Sequence, residues 1–201
     1  LARCEAAGAD VVFAPSVAEM YPAGLDGAIT LDPGPLGAVL EGAERPTHFR
    51  GVLTVVAKLF GLVRPNVAVF GEKDYQQLAL IRLMSRELRL GVEVVGCPTV
   101  REASGLAMSS RNQYLSDSER ERAAAISAAL RSGADAGAGG ADAVLTAAAK
   151  ILADAGIDPD YLVLTSPDLG PVQPTGEARL LIAARVGKPR LLDNISVTLG
   201  A

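Results

Sequence analysis

Three short stretches of this 201-residue chain carry residue types that could do chemistry, two of them suited to holding anions and one bearing its single histidine. The first is Gly71-Glu72-Lys73-Asp74-Tyr75-Gln76-Gln77, directly after the apolar run Val67–Phe70. A strand that hands over to a helix presents free N–H groups and the positive end of the helix dipole, a natural place for an anion. Ligands of open α/β sheets sit at the carboxyl ends of such strands. Gly71 would let the backbone turn closely past a ligand, Lys73 would set a point charge on a phosphate, and Gln77, one helical turn on, would reach a hydroxyl or carboxylate. The same residues also read as a helix start with a solvated Glu-Lys-Asp cap.

The second stretch is Met108-Ser109-Ser110-Arg111-Asn112, preceded by Arg101-Glu102-Ala103-Ser104-Gly105. Two hydroxyls and an arginine fork on a small-residue loop suit a phosphate, with Gly105 giving the loop freedom; a polar surface loop capped by Arg111 fits equally. The third is Arg45-Pro46-Thr47-His48-Phe49-Arg50. His48 is the only histidine, so metal sites built on several histidines are excluded. No GxSxG accompanies it as a nucleophile motif. His48 reads first as a side chain held by hydrogen bonds at a helix start. Asp193-Asn194, polar inside the apolar pattern of 191–199, reads as a bulge or turn partner.

The elements that must position these residues alternate in the first half. A short strand is expected at Val11–Ala14, an irregular Pro- and Gly-punctuated loop over 22–47, and a helix over Phe49–Leu62. That helix stops at Arg64, because the residue before Pro65 is pushed out of the α region. A buried strand at Val67–Phe70, a helix over Tyr75–Leu90 ended by Gly91, and a strand at Val92–Val95 form a βαβ unit, hence a parallel sheet. Cys97-Pro98-Thr99 reads as a boundary. Beyond it, Ser116–Glu119 is a capping box before an Ala-rich helix ending near Arg131. A flexible connector follows over 132–143, then a helix over Ala143–Ala155. Strands are expected at Asp160–Leu164, Arg179–Arg185 and Leu191–Leu199, the last two joined by a turn at 186–189.

Composition narrows the classes. A net charge of −4 argues against a nucleic-acid binder held by phosphate neutralisation. Of 19 basic residues, 15 are Arg and four Lys, so a single lysine in a loop of special composition is informative. Two distant cysteines, Cys4 and Cys97, fit a reducing cytosol and no disulfide scaffold. No apolar run is long enough to span a membrane, and no signal peptide is visible. The opening, Leu1–Pro15, reads as the end of a helix and a strand, which predicts structure upstream.

With these residues in view, the chain resembles the pantothenate synthetase (pantoate–β-alanine ligase) family. The match runs through MYP at 20–22, RPTHFRGV at 45–52, FGEKDYQQL at 70–78, PTVRE at 98–102, GLAMSSRN at 105–112 and LLDNI at 191–195. The resemblance implies an α/β fold. Residues 1–98 would be the C-terminal part of a Rossmann-like nucleotidyltransferase domain binding ATP and pantoate, and 99–201 a small α+β lid domain. It implies condensation of pantoate with β-alanine through a pantoyl adenylate, with ATP and Mg²⁺, and no protein nucleophile. By the same resemblance Gly71, Glu72, Lys73 and Asp74 form an ATP loop, with Lys73 stabilising phosphate charge, and Gln77 binds pantoate. The backbone of Val100 meets adenine, and Met108, Ser109, Ser110 and Arg111 form a second ATP loop. No residue is assigned as a metal ligand. A cytoplasmic homodimer, without nucleic-acid or membrane partners, is further implied. The family's HxGH-type motif is absent from this sequence and is expected upstream of Leu1, as is a glutamine that touches pantoate. A non-catalytic nucleotide-binding paralogue and another nucleotidyltransferase of the same superfamily are the competing expectations.

Overall fold

A run of apolar residues on one face of a 16-residue segment builds the first core. In the computed structural model, which describes residues 1–200, helix α4 spans His48–Val63 and buries Phe49, Leu53, Val56 and Phe60. It ends at Arg64, which takes a left-handed conformation (φ 49°) ahead of Pro65. Three short helices precede it: α1 (Ala2–Ala6), α2 (Val17–Met20) and α3 (Glu41–Glu44). Strand β1 (Val67–Gly71) leads through a 3-10 turn at Glu72–Asp74 into α5 (Tyr75–Glu87), and β2 (Glu93–Cys97) returns parallel to β1. The expected βαβ unit is therefore present, with Val67 opposite Glu93 and Gly71 opposite Cys97.

Three features of this half differ from the sequence reading. Val11–Ala14 forms no strand, and Val11, Val12 and Phe13 are exposed. The Val67–Phe70 run is not buried on both faces. Ala68, Phe70 and Val94 pack on α4 and α5, whereas Val67 and Val69 face solvent, Val69 at 64% exposure. Apolar continuity says that a strand is parallel-like; it does not say which face is covered. Helix α5 also stops earlier than Leu90: the chain leaves it at Leu88, and Arg89 is left-handed (φ 51°) before Gly91.

The second core lies between residues 106 and 199. Helices α6 (Asp117–Asp135) and α7 (Ala141–Asp154) pack on an antiparallel sheet of β3 (Pro159–Thr165), β4 (Gly176–Arg185) and β5 (Arg190–Leu199), in that order. The capping box is formed: Glu119 N donates to Ser116 Oγ at 3.3 Å and Ser116 N to Glu119 Oε2 at 2.8 Å. Strand β4 is the central strand and is covered on both faces. Leu180 and Ile182 belong to the core under α6 and α7, and Leu181 packs with Tyr75 and Leu78 of α5. The sheet is thus the wall shared by both halves.

Residues 132–143 are not a flexible connector. Helix α6 runs on to Asp135, and a 3-10 turn at Gly137–Gly139 leads into α7. Gly137 is buried against the end of β5, where an added Cβ would lie 2.2 Å from the Thr198 carbonyl oxygen. A backbone carbonyl in a sheet cannot swing aside, so Gly137→Ala is expected to cost about 1–3 kcal/mol by overpacking. Gly51→Ala, within α4 and with nothing near the added methyl, should gain about 0.5–1 kcal/mol. Urea midpoints of the two variants, moving in opposite directions, check both statements.

Candidate active site

The first core, the sheet and the loop after β2 converge on one cleft that is partly open to solvent. Lys73 and Asp74 line it from the β1–α5 turn, Gln77 from the first turn of α5, Arg111 from the 3-10 turn at Ser110–Tyr114, Arg45 from the end of α3 and His48 from the start of α4. A smaller neighbouring hollow is lined by Lys73, Ser109, Arg111 and Asn112. Lys73 and Arg111 therefore border both spaces, which brings the two candidate phosphate stretches together.

Gly71 is the last residue of β1 and caps the Glu72–Asp74 turn. Its φ of −68° is open to any residue, and an added Cβ would meet nothing within 4 Å, so the expected need for glycine freedom there is not what this conformation shows. Glu72 points away from the cleft. Its carboxylate accepts from Arg179 Nη2 at 3.1 Å. Lys73 keeps 18% of its side chain exposed and approaches only Asp74, at 3.5 Å. The two glutamines divide their duties. Gln76 is buried, accepts from Glu41 N at 3.0 Å and donates to the Leu36 and Val39 carbonyls at 2.8 Å, fixing the loop before α4. Gln77 faces the cleft.

The second stretch is a braced hairpin. Arg101 and Ala107 form a bridge, Met108 N donates to Val100 O at 2.9 Å, and Gly105 turns the chain at φ 90°. Asn112, buried, donates to Glu102 Oε1 at 2.8 Å and to Ala107 O at 3.1 Å. With the Arg120 guanidinium added, the hydrogen bond from Asn112 holds the Glu102 carboxyl below its usual range. Ser109 Oγ accepts from Arg111 N at 3.2 Å. Val100 and Met108 are exposed, and neither they nor Ser110 line the cleft.

Four residues that sequence reading gave other roles, or none, shape the site. Asp193 and Asn194 sit in regular β5 register opposite Ile182 and Leu181, with no bulge. Asp193 takes both Arg101 nitrogens, at 2.6 and 2.9 Å. Asn194 Nδ2 donates to the Glu72 and Lys73 carbonyls, each at 2.9 Å. Glu41, buried, binds Arg190 Nη1 through both oxygens at 2.6 Å and accepts from Tyr161 OH at 3.1 Å. Arg190 also donates through Nε to Asp160. The only sequence signal for Asp193 and Asn194 is polarity inside an apolar strand pattern, which does not say what the partner is, and Glu41 and Arg190 give none.

His48 begins α4. Its backbone N–H donates to Arg45 O at 2.9 Å, its ring lies 5.0 Å from the Phe49 ring, and its side chain borders the cleft. The hydrogen bond at the helix start is therefore made by its backbone. Burial first, and the Arg45 charge second, hold the imidazole below its ordinary value against the opposing charges of Glu41 and Asp74. The native chain then binds fewer protons than the unfolded one as pH falls through about 6.5, so His48 subtracts stability on the acid side and nothing above neutrality.

Electrostatically the cleft favours anions. Arg190 neutralises Glu41 and Arg101 neutralises Asp193. That leaves Lys73, Arg111 and Arg45 against Asp74. A parallel βαβ unit whose strand–helix turn opens on a cleft with an excess of unpaired cations, walled by an antiparallel sheet, defines a two-core α/β protein with its candidate site at the carboxyl end of a parallel strand. Comparison narrows the class. The family model for pantoate-beta-alanine ligase matches residues 1–196, and the chain belongs to that family. It is 59% identical over 197 residues to the pantothenate synthetase of Nocardia farcinica, covering 98% of this chain and 61% of the relative. To that of Mycolicibacterium smegmatis it is 54% identical over 203 residues, covering 100% and 64%. The crystal structure of pantothenate synthetase from Thermus thermophilus superposes with a TM-score of 0.89 at 47% identity, covering 96% of this chain and 72% of that one. The ligase from Francisella tularensis, complexed with β-γ ATP and β-alanine, gives 0.74 at 32% identity, covering 96% and 67%. The chain spans about three fifths of the length of the curated relatives it matches.

Arg45→Ala removes the second-largest influence on His48. The His48 titration midpoint, followed by NMR at its ring proton, should move up towards its ordinary value; a midpoint that stays or falls contradicts this account of the charge around it.

Proposed function

We propose that this chain carries the ATP- and pantoate-binding cleft of a pantoate–β-alanine ligase. The observation that carries the reading is the convergence of Lys73 and Arg111, one from each candidate phosphate stretch, on a single cleft whose other charges are mostly neutralised. In the first step a pantoate carboxylate oxygen attacks the α-phosphorus of ATP, the bond to the β-phosphate breaks, and pyrophosphate leaves. In the second, the neutral amine of β-alanine attacks the acyl carbon, AMP departs with the bonding electrons, and the nitrogen gives up one proton to solvent to leave the amide. Neither step needs a protein nucleophile; positioning and charge stabilisation carry the rate.

Lys73 and Arg111 stabilise charge at the phosphates, with Gly71, Glu72 and Asp74 forming the rest of the first loop, and Met108, Ser109 and Ser110 the rest of the second. Gln77 binds pantoate through its amide. The Val100 carbonyl already accepts from Met108 N, so its N–H and remaining lone pair are the groups left for adenine. Mg²⁺ would enter with ATP. Among the described residues no cluster of three or more His, Cys, Asp or Glu side chains forms a metal cage. That donor set fits an ion carried by phosphate oxygens, with Asp74, bordering the cleft beside Lys73, as the carboxylate free to face it. Bound there, the ion would supply charge neutralisation between phosphate oxygens.

The division at residue 98 into an ATP/pantoate part and an α+β lid part is supported by two separate cores, one drawn from 49–92 and one from 106–199. Among the described residues no helix is long and apolar enough to cross a membrane. A cytoplasmic homodimer without nucleic-acid partners completes the reading by family likeness.

Pantoate-dependent release of pyrophosphate from MgATP tests it. Lys73→Ala should lower that rate by about 10²–10³-fold with an unchanged thermal melt. Equal turnover in Lys73→Ala would remove Lys73 from the reaction. ATP binding that depends on Lys73, with no pyrophosphate released, would mark a nucleotide-binding module instead.

A further inference from the structure

Adjacent residues of a β-strand point to opposite faces of the sheet. In β5 this rule places Asp193 on the α6 side and Asn194 on the α5 side, and each finds one of the two candidate phosphate stretches. On one face the Asp193 carboxylate takes the Arg101 fork at 2.6 and 2.9 Å. Arg101 in turn donates to Gly105 O at 3.1 Å and bridges to Ala107 at the base of the hairpin that leads into Met108–Arg111. On the other face Asn194 Nδ2 donates to the carbonyls of Glu72 and Lys73. Its Oδ1 is held by Arg179 Nε at 2.7 Å, and Arg179 also grips the Glu72 carboxylate. The Asp193 Oδ1 that binds Arg101 accepts from Asn194 N at 2.8 Å as well. Both side chains are buried, so neither contact is a loose surface pairing.

We propose that Asp193 and Asn194 are a positioning pair that sets the distance between the two phosphate-binding loops. Asn194 fixes the turn bearing Lys73, and Asp193, through Arg101, fixes the hairpin bearing Ser109 and Arg111. The proposal rests on the reading of those loops as the ATP site. Both residues also border the cleft, but their polar atoms are committed to Arg101 and to the Glu72–Lys73 turn, so the role proposed for each runs through the loop it holds. Because the two are covalent neighbours in a strand buried at its centre, the spacing of the two loops is as rigid as the sheet. A shift of either loop by an ångström would separate Lys73 from Arg111 across the phosphates they share.

The experiment has two readouts on the 201-residue chain. Hydrogen exchange followed by mass spectrometry reads the loops directly. Asn194→Asp, isosteric but without the two donors, should speed exchange over 72–77 and leave 101–109 unchanged. Asp193→Asn, which weakens the Arg101 fork, should do the reverse. Asn194→Ser and Arg101→Lys, the milder pair, take their place where either variant fails to fold. Unchanged exchange in both loops overturns the proposal. Binding of MgATP by calorimetry is the second readout: each variant should bind about tenfold or more weakly. If Asn194 acts through Lys73, Asn194→Asp should cost nothing further in a Lys73→Ala background. Additive losses would make Asn194 merely structural and overturn its positioning role. An unaltered chain that binds no ATP overturns the nucleotide reading, while the exchange data still decide whether the pair holds the loops.

Discussion

A guanidinium buried in the wall between the two halves constrains much of what surrounds it. Arg179, on β4, is 7% exposed. A buried cation is tolerated only when it is paired and its donors are met. Here Nε and Nη2 share Asn194 Oδ1, Nη1 reaches Ser196 Oγ at 2.7 Å, Nη2 reaches Glu72, and the guanidinium carbon lies 4.0 Å from the centre of the Tyr75 ring. These partners come from β5, from the Glu72–Asp74 turn and from the first residue of α5. Satisfying one arginine therefore fixes where the turn bearing Lys73 lies on the sheet. Tyr75 is committed in the same way: its hydroxyl donates to Pro167 O at 3.0 Å, and burial pushes its pKa up, so it stays a neutral donor.

The same logic recurs at two other places along the wall. Arg101 is met by Asp193, and Arg190 by Glu41 and Asp160, with Tyr161 closing the group. Burial and the nearby Glu41 carboxylate raise the Tyr161 pKa strongly, which keeps the phenol protonated as a donor to that carboxylate. Ion pairs of this kind add little net stability compared with apolar packing, but removing one partner strands the other charge. Their effect is to select one arrangement of loop on sheet. The apolar contacts of Leu181 with Tyr75 and Leu78 hold the two halves together without fixing their register; the arginines fix it.

How much of this the sequence reveals depends on how local the cause is. The βαβ unit, the capping box at Ser116 and the hairpin over 186–189 follow from residues a few positions apart, and all are present. The end of α4 before Pro65 is equally local. The coverage of a strand is not: Val67–Phe70 reads as buried on both faces because nothing within four residues says where the second layer is. Residues 132–143 read as a linker because glycine composition hides the close approach of Gly137 to Thr198, far along the chain. Lys73, Gln77 and Arg111 were legible as site candidates because their neighbours are unusual for a surface loop. Asp193 and Asn194 were seen only as polar anomalies, since their partners lie 92 and more than 120 positions away. Glu41 and Arg190, 149 positions apart, left no trace in either local pattern.

The excess of arginine over lysine acquires a physical meaning in the site. Carboxylates in and beside the cleft are matched by planar forks: Glu41 by Arg190, Asp193 by Arg101, Glu72 by Arg179 and Glu102 by Arg120. Arg101 meets Asp193 with two nitrogens, one to each oxygen, a geometry that an ammonium cannot supply; the other three reach these carboxylates through one nitrogen and spend the rest of the guanidinium on further partners or solvent. With those acids neutralised from behind, their field no longer opposes an incoming anion. Lys73 is different in kind, a compact charge on a flexible stem whose one acidic neighbour, Asp74, is half-exposed and 3.5 Å away. Lys73 and Arg111 both line the cleft, and the one hydrogen bond of the Arg111 side chain goes to the Arg190 carbonyl, at 3.4 Å. The paired guanidinium and carboxylate groups are the part of the field that is fixed before a ligand arrives, and groups held in this way need no rearrangement when negative charge develops, which is the condition under which electrostatic stabilisation is largest.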